Sequence, residues 1–254
     1  MELNLNLLYY IRNNWHRIGD EERKLIDFFG TVLTRMEDTH SQCFQDLWVL
    51  SETSFRNSQG ELFYVDIGAS DGKTINNTYA LQMDRGWSGI VVEPNIVWHE
   101  ALHTNRHICD DTSVFAPQFS TMAVHTESHK KMKLLCPTES DLSTLEGYGN
   151  DEHSEKRKNA ASIEVETITL YDLLKLKNAP KEINYVSMDV EGAEYDILEK
   201  FFQENDTYTV ELWTIEHNYI PETRRKIFDL MTGNGYKISL ERFPSCDDFY
   251  IKRT

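Results

Sequence analysis

The sequence predicts an α/β fold: a mostly parallel sheet with helices on both faces. Three observations carry that prediction. From residue 61 onward, short apolar runs alternate with stretches of helical periodicity, as in strands buried on both faces and joined by crossover helices. Two of the runs close on a carboxylate and a turn residue, VDIG and VVEP, as strand ends do at the ligand edge of an open sheet. The chain finishes with two strand-like runs joined by a short polar turn, which predicts an antiparallel hairpin.

Ahead of the sheet the pattern is helical. Leu7, Leu8, Ile11, Trp15 and Ile18 recur at helical spacing. Asp20 suits the N-cap of a second helix, whose apolar face is Leu25, Phe28, Phe29, Val32, Leu33 and Met36. The polar stretch SETSFRNSQG, 51–60, reads as the connection between a helical extension, 1–60, and the main domain, 61–254. In that domain the strands are ELFYVDI, SGIVVEP, PQFSTMAV, EINYVSMDV and TVELWTIEH. Helices lie near 76–85, 96–104, 169–176, 192–203 and 222–232, and YKISLERF with DDFYIKRT forms the hairpin. Residues 125–162 interrupt the alternation with KMKLLCP, an extra strand, followed by a long polar stretch expected to act as a lid or acceptor-binding loop. In that stretch Tyr148, His153 and the basic residues 156–158 suit a sugar or an anionic acceptor, although a solvated loop accounts for them more simply.

Composition narrows the function. At 254 residues and 40% hydrophobic content the chain can bury one sizeable core. With 42 acidic against 26 basic residues, its formal charge of -16 repels phosphate backbones and anionic headgroups, so neither nucleic acid nor a membrane is an expected partner. Cys43, Cys109, Cys136 and Cys246 form no CxxC pair and read as reduced thiols. The first apolar stretch, LNLNLLYYI, is broken by asparagines and lacks a basic lead, and no run approaches a membrane span, so a cytoplasmic protein is expected. Oligomeric state is left open by the sequence.

The stretch FYVDIGASDG, 63–72, places Gly68, Ala69, Ser70, Asp71 and Gly72 after the first strand. This spacing fails the GxGxxG pattern of a dinucleotide site, and Asp66 and Asp71 would face a diphosphate. Like charges at that separation in a partly desolvated cleft cost on the order of several kcal/mol. A cationic ligand reverses the sign. S-adenosylmethionine has a sulfonium, an ammonium and no phosphate. Asp66 is expected to receive the ammonium and the glycines to pass close to the methionine portion. Glu93, followed by Pro94, is expected to accept the ribose hydroxyls, as an acid some 20 residues past the glycine loop does in NAD sites.

On the fourth strand, INYVSMDVEGAEYDIL places Asp189 at the carboxyl end, with Glu191 and Glu194 beginning the next helix, where acids complement the macrodipole. LWTIEHN carries Glu216 and His217 to the same rim.

The order VDIGASDG, VVEPN, MDVEGAEYDIL and TIEHN, with VETITLYDLL at a strand-to-helix junction, resembles the FkbM family of methyltransferases over roughly residues 61–252. SQCFQDLWVL resembles a segment that precedes the domain in some relatives. The resemblance implies a Rossmann-like class I methyltransferase with a seven-stranded sheet and reversed terminal strand, using S-adenosylmethionine, often to O-methylate sugar or polyketide hydroxyls. Carried over by position, it implies Asp66, Gly68, Gly72, Glu93 and Asn95 around the donor, and Asp189, Glu191, Glu216 and His217 facing the reaction. Ser70 departs from the family of folds, standing where many methyltransferases have a glycine.

The expected function is O-methylation of a small-molecule or carbohydrate hydroxyl, with His217 as general base and Asp189 positioning donor or acceptor. Asp189, Glu191, Glu216 and His217 also offer ligands suited to Mg²⁺ or Mn²⁺. A non-catalytic adenosylmethionine-binding protein is the alternative, and a nicotinamide-dependent oxidoreductase is disfavoured by the acidic loop. No [DN]PP[YFW] segment is present for an exocyclic amine.

Overall fold

The computed structural model describes residues 5–55, 61–108, 116–138, 140–149, 153–241, 243 and 245–253. Three helices lead, α1 (Leu5–Asn14), α2 (Asp20–Arg35) and α3 (Gln45–Phe55). Next come β1 (Phe63–Ile67), α4 (Tyr79–Met83), β2 (Ser88–Val92), α5 (His99–Arg106) and β3 (Gln118–Ser120). The inserted region contributes β4 (Ala123–Val124), β5 (Lys131–Cys136), β6 (Thr144–Leu145), α6 (Ser154–Arg157) and β7 (Ala161–Ile168). The chain returns through α7 (Leu170–Leu176), β8 (Glu182–Met188), α8 (Glu194–Glu204), β9 (Thr209–Glu216), α9 (Pro221–Gly233), β10 (Tyr236–Ser239) and β11 (Asp247–Lys252).

The main sheet has seven strands in the order β10-β11-β9-β8-β1-β2-β3. All neighbours pair in parallel except β11, which runs antiparallel to both β9 and β10. The predicted parallel sheet with a reversed terminal strand is therefore what forms. Alternation sorts side chains to two cores. Phe63, Val65 and Ile67 of β1 join residues of α7, α8 and α9 on one face. Tyr64 packs on the other with residues of α2, α3, α4 and α5. Asp66 shares the parity of Tyr64, so it points beneath α4 and α5.

Three expectations change. PQFSTMAV is not one strand: β3 ends at Ser120, whose hydroxyl accepts from the Met122 amide at 3.3 Å, and β4 joins a second sheet. That second sheet, β4-β7-β5-β6, turns the inserted region into folded structure around Ala123, Leu134, Leu145 and Val165. Its β7 alternates exposed acids with inward Val165 and Thr167, a half-buried strand whose charge conceals its period. Finally, the expected connection begins later, because Gln45–Phe55 is helical, and α3 is part of the main packing. Leu47, Trp48 and Val49 are all buried, and Trp48 meets Phe249 edge-on at 5.1 Å. A helix buried on most sides lacks an amphipathic stripe, which is why its period is not visible. Among the described residues no helix is long and apolar enough to cross a membrane.

Arg106, fully buried on α5, ties the first half of the domain together. Its Nε donates to Gly72 O, Nη1 to Gln82 Oε1 at 2.7 Å and Tyr64 OH at 3.3 Å, and Nη2 to Thr78 Oγ1 at 2.6 Å and Asp66 Oδ2 at 3.3 Å. Removing one member of such a pair leaves a buried, uncompensated charge, at about 3–5 kcal/mol. Arg106→Met is accordingly expected to lower the urea-unfolding free energy by about 3 kcal/mol or more; a loss under about 1 kcal/mol would mean that Asp66 is neutral or rehydrated without it.

Candidate active site

The strand order reverses between β1 and β8, since the chain builds β2 and β3 on one side of β1 and returns to the other. Ligands bind at such a point, beyond the carboxyl ends of the strands. A cavity of about 520 Å³ lies there, walled by the loops after β1, β2, β8 and β9 and by the inserted sheet. Its size falls within the roughly 300–1,000 Å³ usual for small-molecule sites.

The first loop is shaped by its own packing. A Cβ on Gly68, at φ 91°, would stand 1.8 Å from the Asp189 carbonyl oxygen, so the glycine lets β1 and β8 close on each other. A Cβ on Gly72 would meet Arg106 Cγ at 2.9 Å. Gly72 therefore makes room for the guanidinium and does not line the cavity, which corrects its expected role beside the donor. Ser70 takes the left-handed conformation itself, at φ 48°. A non-glycine residue there costs about 1–2 kcal/mol.

The loop amides are internally used. Gly68 and Ala69 both donate to Val92 O at 3.0 Å, Gly72 donates to Ala69 O at 2.8 Å, and Ser70 donates to Glu93 Oε2 at 2.8 Å. A diphosphate nest needs such amides free to point at the ligand. Asp71 does line the cavity, but its Oδ1 caps the turn, accepting from the Lys73 and Thr74 amides at 2.8 and 2.7 Å. Asp66 is absent from the lining, because its Oδ2 accepts from Asn76 at 2.9 Å, from Thr78 at 2.7 Å and from Arg106. Its expected contact with an ammonium is corrected: Asp66 pairs with Val91 and Ser187, two residues short of Glu93 and Asp189 on the same face, and so lies inside the sheet instead of at the cavity.

Glu93 sits where the sequence placed it. It lines the cavity, 5% exposed, with Oε1 accepting from the Asn95 amide at 2.7 Å and Oε2 from Ser70. Each carboxylate oxygen keeps a further lone pair for a ligand hydroxyl. Burial, partly offset by those two amides, pushes its carboxyl up to about 7. Pro94 also lines the cavity. The Asn95 side chain accepts from the Val97 amide at 3.2 Å and donates to Ser143 Oγ at 3.0 Å, so it joins this loop to the inserted region and stands outside the lining.

Opposite Glu93 lie Asp189, Glu191 and Glu216, with one carboxylate oxygen of each within 4.8 Å of the others. All three line the cavity. Glu191 is the member paired with a cation: Arg157 Nη2 donates to its Oε2 at 2.8 Å. Asn218 bridges the set, donating to Glu216 at 2.9 Å and to Glu191 at 3.3 Å. Burial and then its neighbours' negative charge raise the Asp189 carboxyl well above the usual range, partly offset by a hydrogen bond from Glu216. Glu216 is raised in the same way, by burial and then by Asp189. Two neighbouring buried carboxyls so placed bind protons more tightly than ordinary carboxylates do.

His217 is the principal correction. The ring is buried, its Nδ1 accepting from the Tyr219 amide at 3.1 Å, while Nε2 faces Asp248 Oδ1 at 3.7 Å. It borders a separate pocket of about 220 Å³ and does not reach the main cavity. The strand alternates: Glu216 faces the ligand edge, so its neighbour does not. His217 is thus not placed to act as the base, and the expected four-residue cation set loses its imidazole. Positive charge beside the remaining acids comes from Arg157.

Several contributors went unread in the sequence. Arg157 was grouped with 156–158 as a possible acceptor contact, yet it is 4% exposed and also donates to Leu142 O and Gly149 O. Asn218 closes the TIEHN motif but was given no role, and Arg106 carried no motif. Tyr148 donates to Asp196 at 2.8 Å beside the smaller pocket, whereas His153 lines the main one.

The raised Glu93 carboxyl fixes a sign. The unfolded chain ionises near 4.5 while the folded one holds its proton to about 7, so this group makes stability fall as pH rises between those values. From pH 5.5 to 8, wild type should lose about 2 kcal/mol more than Glu93→Gln in urea unfolding. Parallel pH profiles for the two proteins would refute the buried, protonated Glu93.

The FkbM methyltransferase domain matches residues 66–238. No curated protein matches the sequence. Among solved structures, methyltransferase FkbM from Methylobacillus flagellatus is 13% identical, with a TM-score of 0.46 over 92% of this chain and 61% of that one, so the present chain spans about three fifths of its length. A methyltransferase from Geobacter sulfurreducens is 9% identical, with a TM-score of 0.44 over 99% and 98% of the two chains. The N-terminal domain of human METTL16 in complex with SAH is 11% identical, with a TM-score of 0.43 over 80% and 66%. With the family domain covering more than half of its residues, this chain belongs to the FkbM methyltransferase family.

Proposed function

We propose that this chain transfers the methyl group of S-adenosylmethionine to a hydroxyl of a small-molecule or carbohydrate acceptor. The observation that carries the reading is the state of the first loop: its amides at 68, 69, 70 and 72 are consumed within the protein, beside a cavity walled by acids. That arrangement repels a diphosphate and suits a phosphate-free, cationic cofactor. The residues present fit the group. Glu93 has lone pairs left for the ribose hydroxyls, Asp189 and Glu216 offer negative charge to an ammonium or sulfonium, and Gly68 to Asp71 form the adjoining wall.

The cofactor, when bound, supplies an electrophilic methyl group. This chain's residues position the acceptor, remove its proton and exclude water. The base is the Asp189–Glu216 pair: a carboxylate whose affinity for protons is raised takes a hydroxyl proton more readily than an ordinary one. Asn218 holds Glu216, and Arg157 holds Glu191, so the pair cannot swing to solvent. The inserted sheet closes the cavity with Leu134, Leu142, Ser143 and His153, while Ile75 and Tyr219 stand exposed among its lining residues. Acids on this side disfavour an anionic acceptor and favour a neutral alcohol.

Calorimetry should detect S-adenosylhomocysteine binding and no NADH binding; the reverse would end this reading. With a panel of glycans and small alcohols, release of S-adenosylhomocysteine identifies the acceptor class. Asp189→Asn should lower kcat by about 10²–10⁴-fold, the usual contribution of a general base, with little change in KM for the acceptor. His217→Phe, by contrast, should retain turnover in whatever fraction stays folded, and EDTA should leave turnover unchanged. Equal loss in the Asp189 and His217 variants would return the base to the imidazole.

A further inference from the structure

Among the described residues, ten non-glycine positions have positive φ, and five of them line the main cavity: Ser70, Ile75, Glu191, Asn218 and Tyr219. Backbone strain of this kind persists only where neighbours over-determine it, and it gathers at functional sites. At Ser70, Glu191 and Asn218 it serves contacts within the protein, to Glu93, Arg157 and Glu216. Ile75 and Tyr219 differ: at φ 51° and 55°, their side chains stand 60% and 62% exposed at the cavity. An isoleucine in the left-handed region is a genuine outlier, because its branched Cβ crowds the backbone. Both residues are pinned from either side. Asp71 caps the Lys73 and Thr74 amides ahead of Ile75, and the Asn76 amide behind it donates to His40 O at 2.9 Å. His217–Ile220 is a tight turn closed by the Ile220 amide on His217 O at 2.9 Å, with the Tyr219 amide on His217 Nδ1 at 3.1 Å. Two left-handed central residues make it type I′, a turn that ordinarily takes Asn-Gly. Asn218 fits that pattern, and Tyr219 stands where glycine is usual, its ring edge-on to His217 at 6.1 Å.

Resting on the methyl-transfer reading, we infer that Ile75 and Tyr219 bind the body of the methyl acceptor, and that the acceptor is a neutral alcohol whose hydroxyl is carried on a ring with an apolar face. Cavity size divides the molecule. A space of about 520 Å³ is what one small ligand fills, so with the cofactor inside it the acceptor's hydroxyl enters while the rest lies at the mouth, beside these two side chains. Apolar side chains scattered singly over a surface need no explanation. Two that line one cavity, each set against its backbone preference, do. A tyrosine ring presents a flat face, and a rigid ring stacked on it gives up less conformational freedom than a loose chain. Tyr219 is one residue from Asn218, which donates to Glu216, so a ring held there carries its hydroxyl toward the Asp189–Glu216 pair. The acidic inner wall accepts hydroxyl protons and repels an anion. A sugar with its C–H face and an aromatic ring share this chemistry, and the test separates them.

The test is saturation-transfer NMR on the full chain saturated with S-adenosylhomocysteine, using methyl glucopyranoside, benzyl alcohol and hexanol as probes. At least one ring probe should bind, with transfer strongest at its ring C–H protons, and hexanol should bind more weakly. Tyr219→Ala and Ile75→Ser should weaken that probe about tenfold, whereas Tyr219→Phe should bind it as wild type does. Tyr219→Gly relieves the left-handed strain, so it should unfold at no lower a urea concentration than wild type and still lose the probe, which a misfolded variant would not do. Calorimetry should give every variant the wild-type affinity for S-adenosylhomocysteine. Binding of methyl glucopyranoside alone would assign a carbohydrate ring, and of benzyl alcohol alone an aromatic one. Wild type that takes up S-adenosylhomocysteine but neither ring probe, hexanol bound as tightly as the rings, or Tyr219→Ala binding like wild type would overturn the proposal and leave the cofactor reading intact. Failure of wild type to bind S-adenosylhomocysteine would end both.

Discussion

The ion pair between Arg106 and Asp66 is the constraint on which the ligand edge of the sheet depends. A guanidinium has five N–H donors, and every Arg106 nitrogen finds acceptors on β1, α4 or the turns before and after them. Because Arg106 needs Gly72 O, the first loop must turn back over α5, and only a residue without a Cβ fits beside the arginine. Once the loop is turned, its amides meet Val92 O and Glu93, which fixes the Glu93 carboxylate at the cavity. A buried pair of this kind adds little to net stability compared with an apolar replacement, but a half-removed pair costs several kcal/mol. Its contribution is therefore to specify one loop conformation.

A second buried arginine plays the corresponding part across the cavity. Glu191 lies in the left-handed region at φ 61°, followed by Gly192 at φ 118°. Holding a glutamate there opposes its backbone preference by about 1–2 kcal/mol, and the charge-assisted bond from Arg157 together with the Thr144 hydroxyl on Glu191 O offsets that cost. Arg157 comes from α6 of the inserted sheet. The insertion is thus joined to the acids chemically and also sterically, since a Cβ on Gly192 would strike Gly149 N at 2.9 Å. Three acids with one arginine crowd negative charge in a buried site, and burial first and their mutual repulsion second raise the Asp189 and Glu216 carboxyls well above the usual range.

Periodicity made the sheet legible, because strands buried on both faces must be short apolar runs and crossover helices must carry an apolar stripe. It also located Glu93, Asp189 and Glu216, each a carboxylate where an apolar strand ends, whereas Glu191 read as the first turn of the next helix and only the family resemblance placed it at the reaction. What it could not supply was depth and parity. Asp66 and Glu93 share a face of the sheet, but Asp66 pairs with Val91 and Glu93 stands two residues further along, past β2, so only the second meets the cavity. His217 misses it by parity, one residue beyond Glu216. Arg157 and the first half of β7 were hidden by charge: a local reading takes a polar segment as solvated, and the partners that bury these groups are far along the chain. α3 was hidden by the opposite cause, being too uniformly buried to show a stripe.

The division of labour between the two arginines bears on how recognition is organised. Arg106 organises the loops after β1 and β2, which form one wall of the cavity, and all of its partners lie between residues 64 and 82. Arg157 organises the other wall, and its partners are Leu142, Gly149 and Glu191. The first group is contiguous in sequence and folds as one βαβ unit; the second joins an insertion to a distant strand end. Side chains of the insertion that face the cavity, such as Leu142, Ser143 and His153, are therefore free to vary without disturbing the loop that Arg106 sets, provided Arg157 and Gly149 keep the second sheet seated on Glu191. One half of the cavity is set by a buried charge close at hand in the chain, and the other by a long-range contact that tolerates different neighbours.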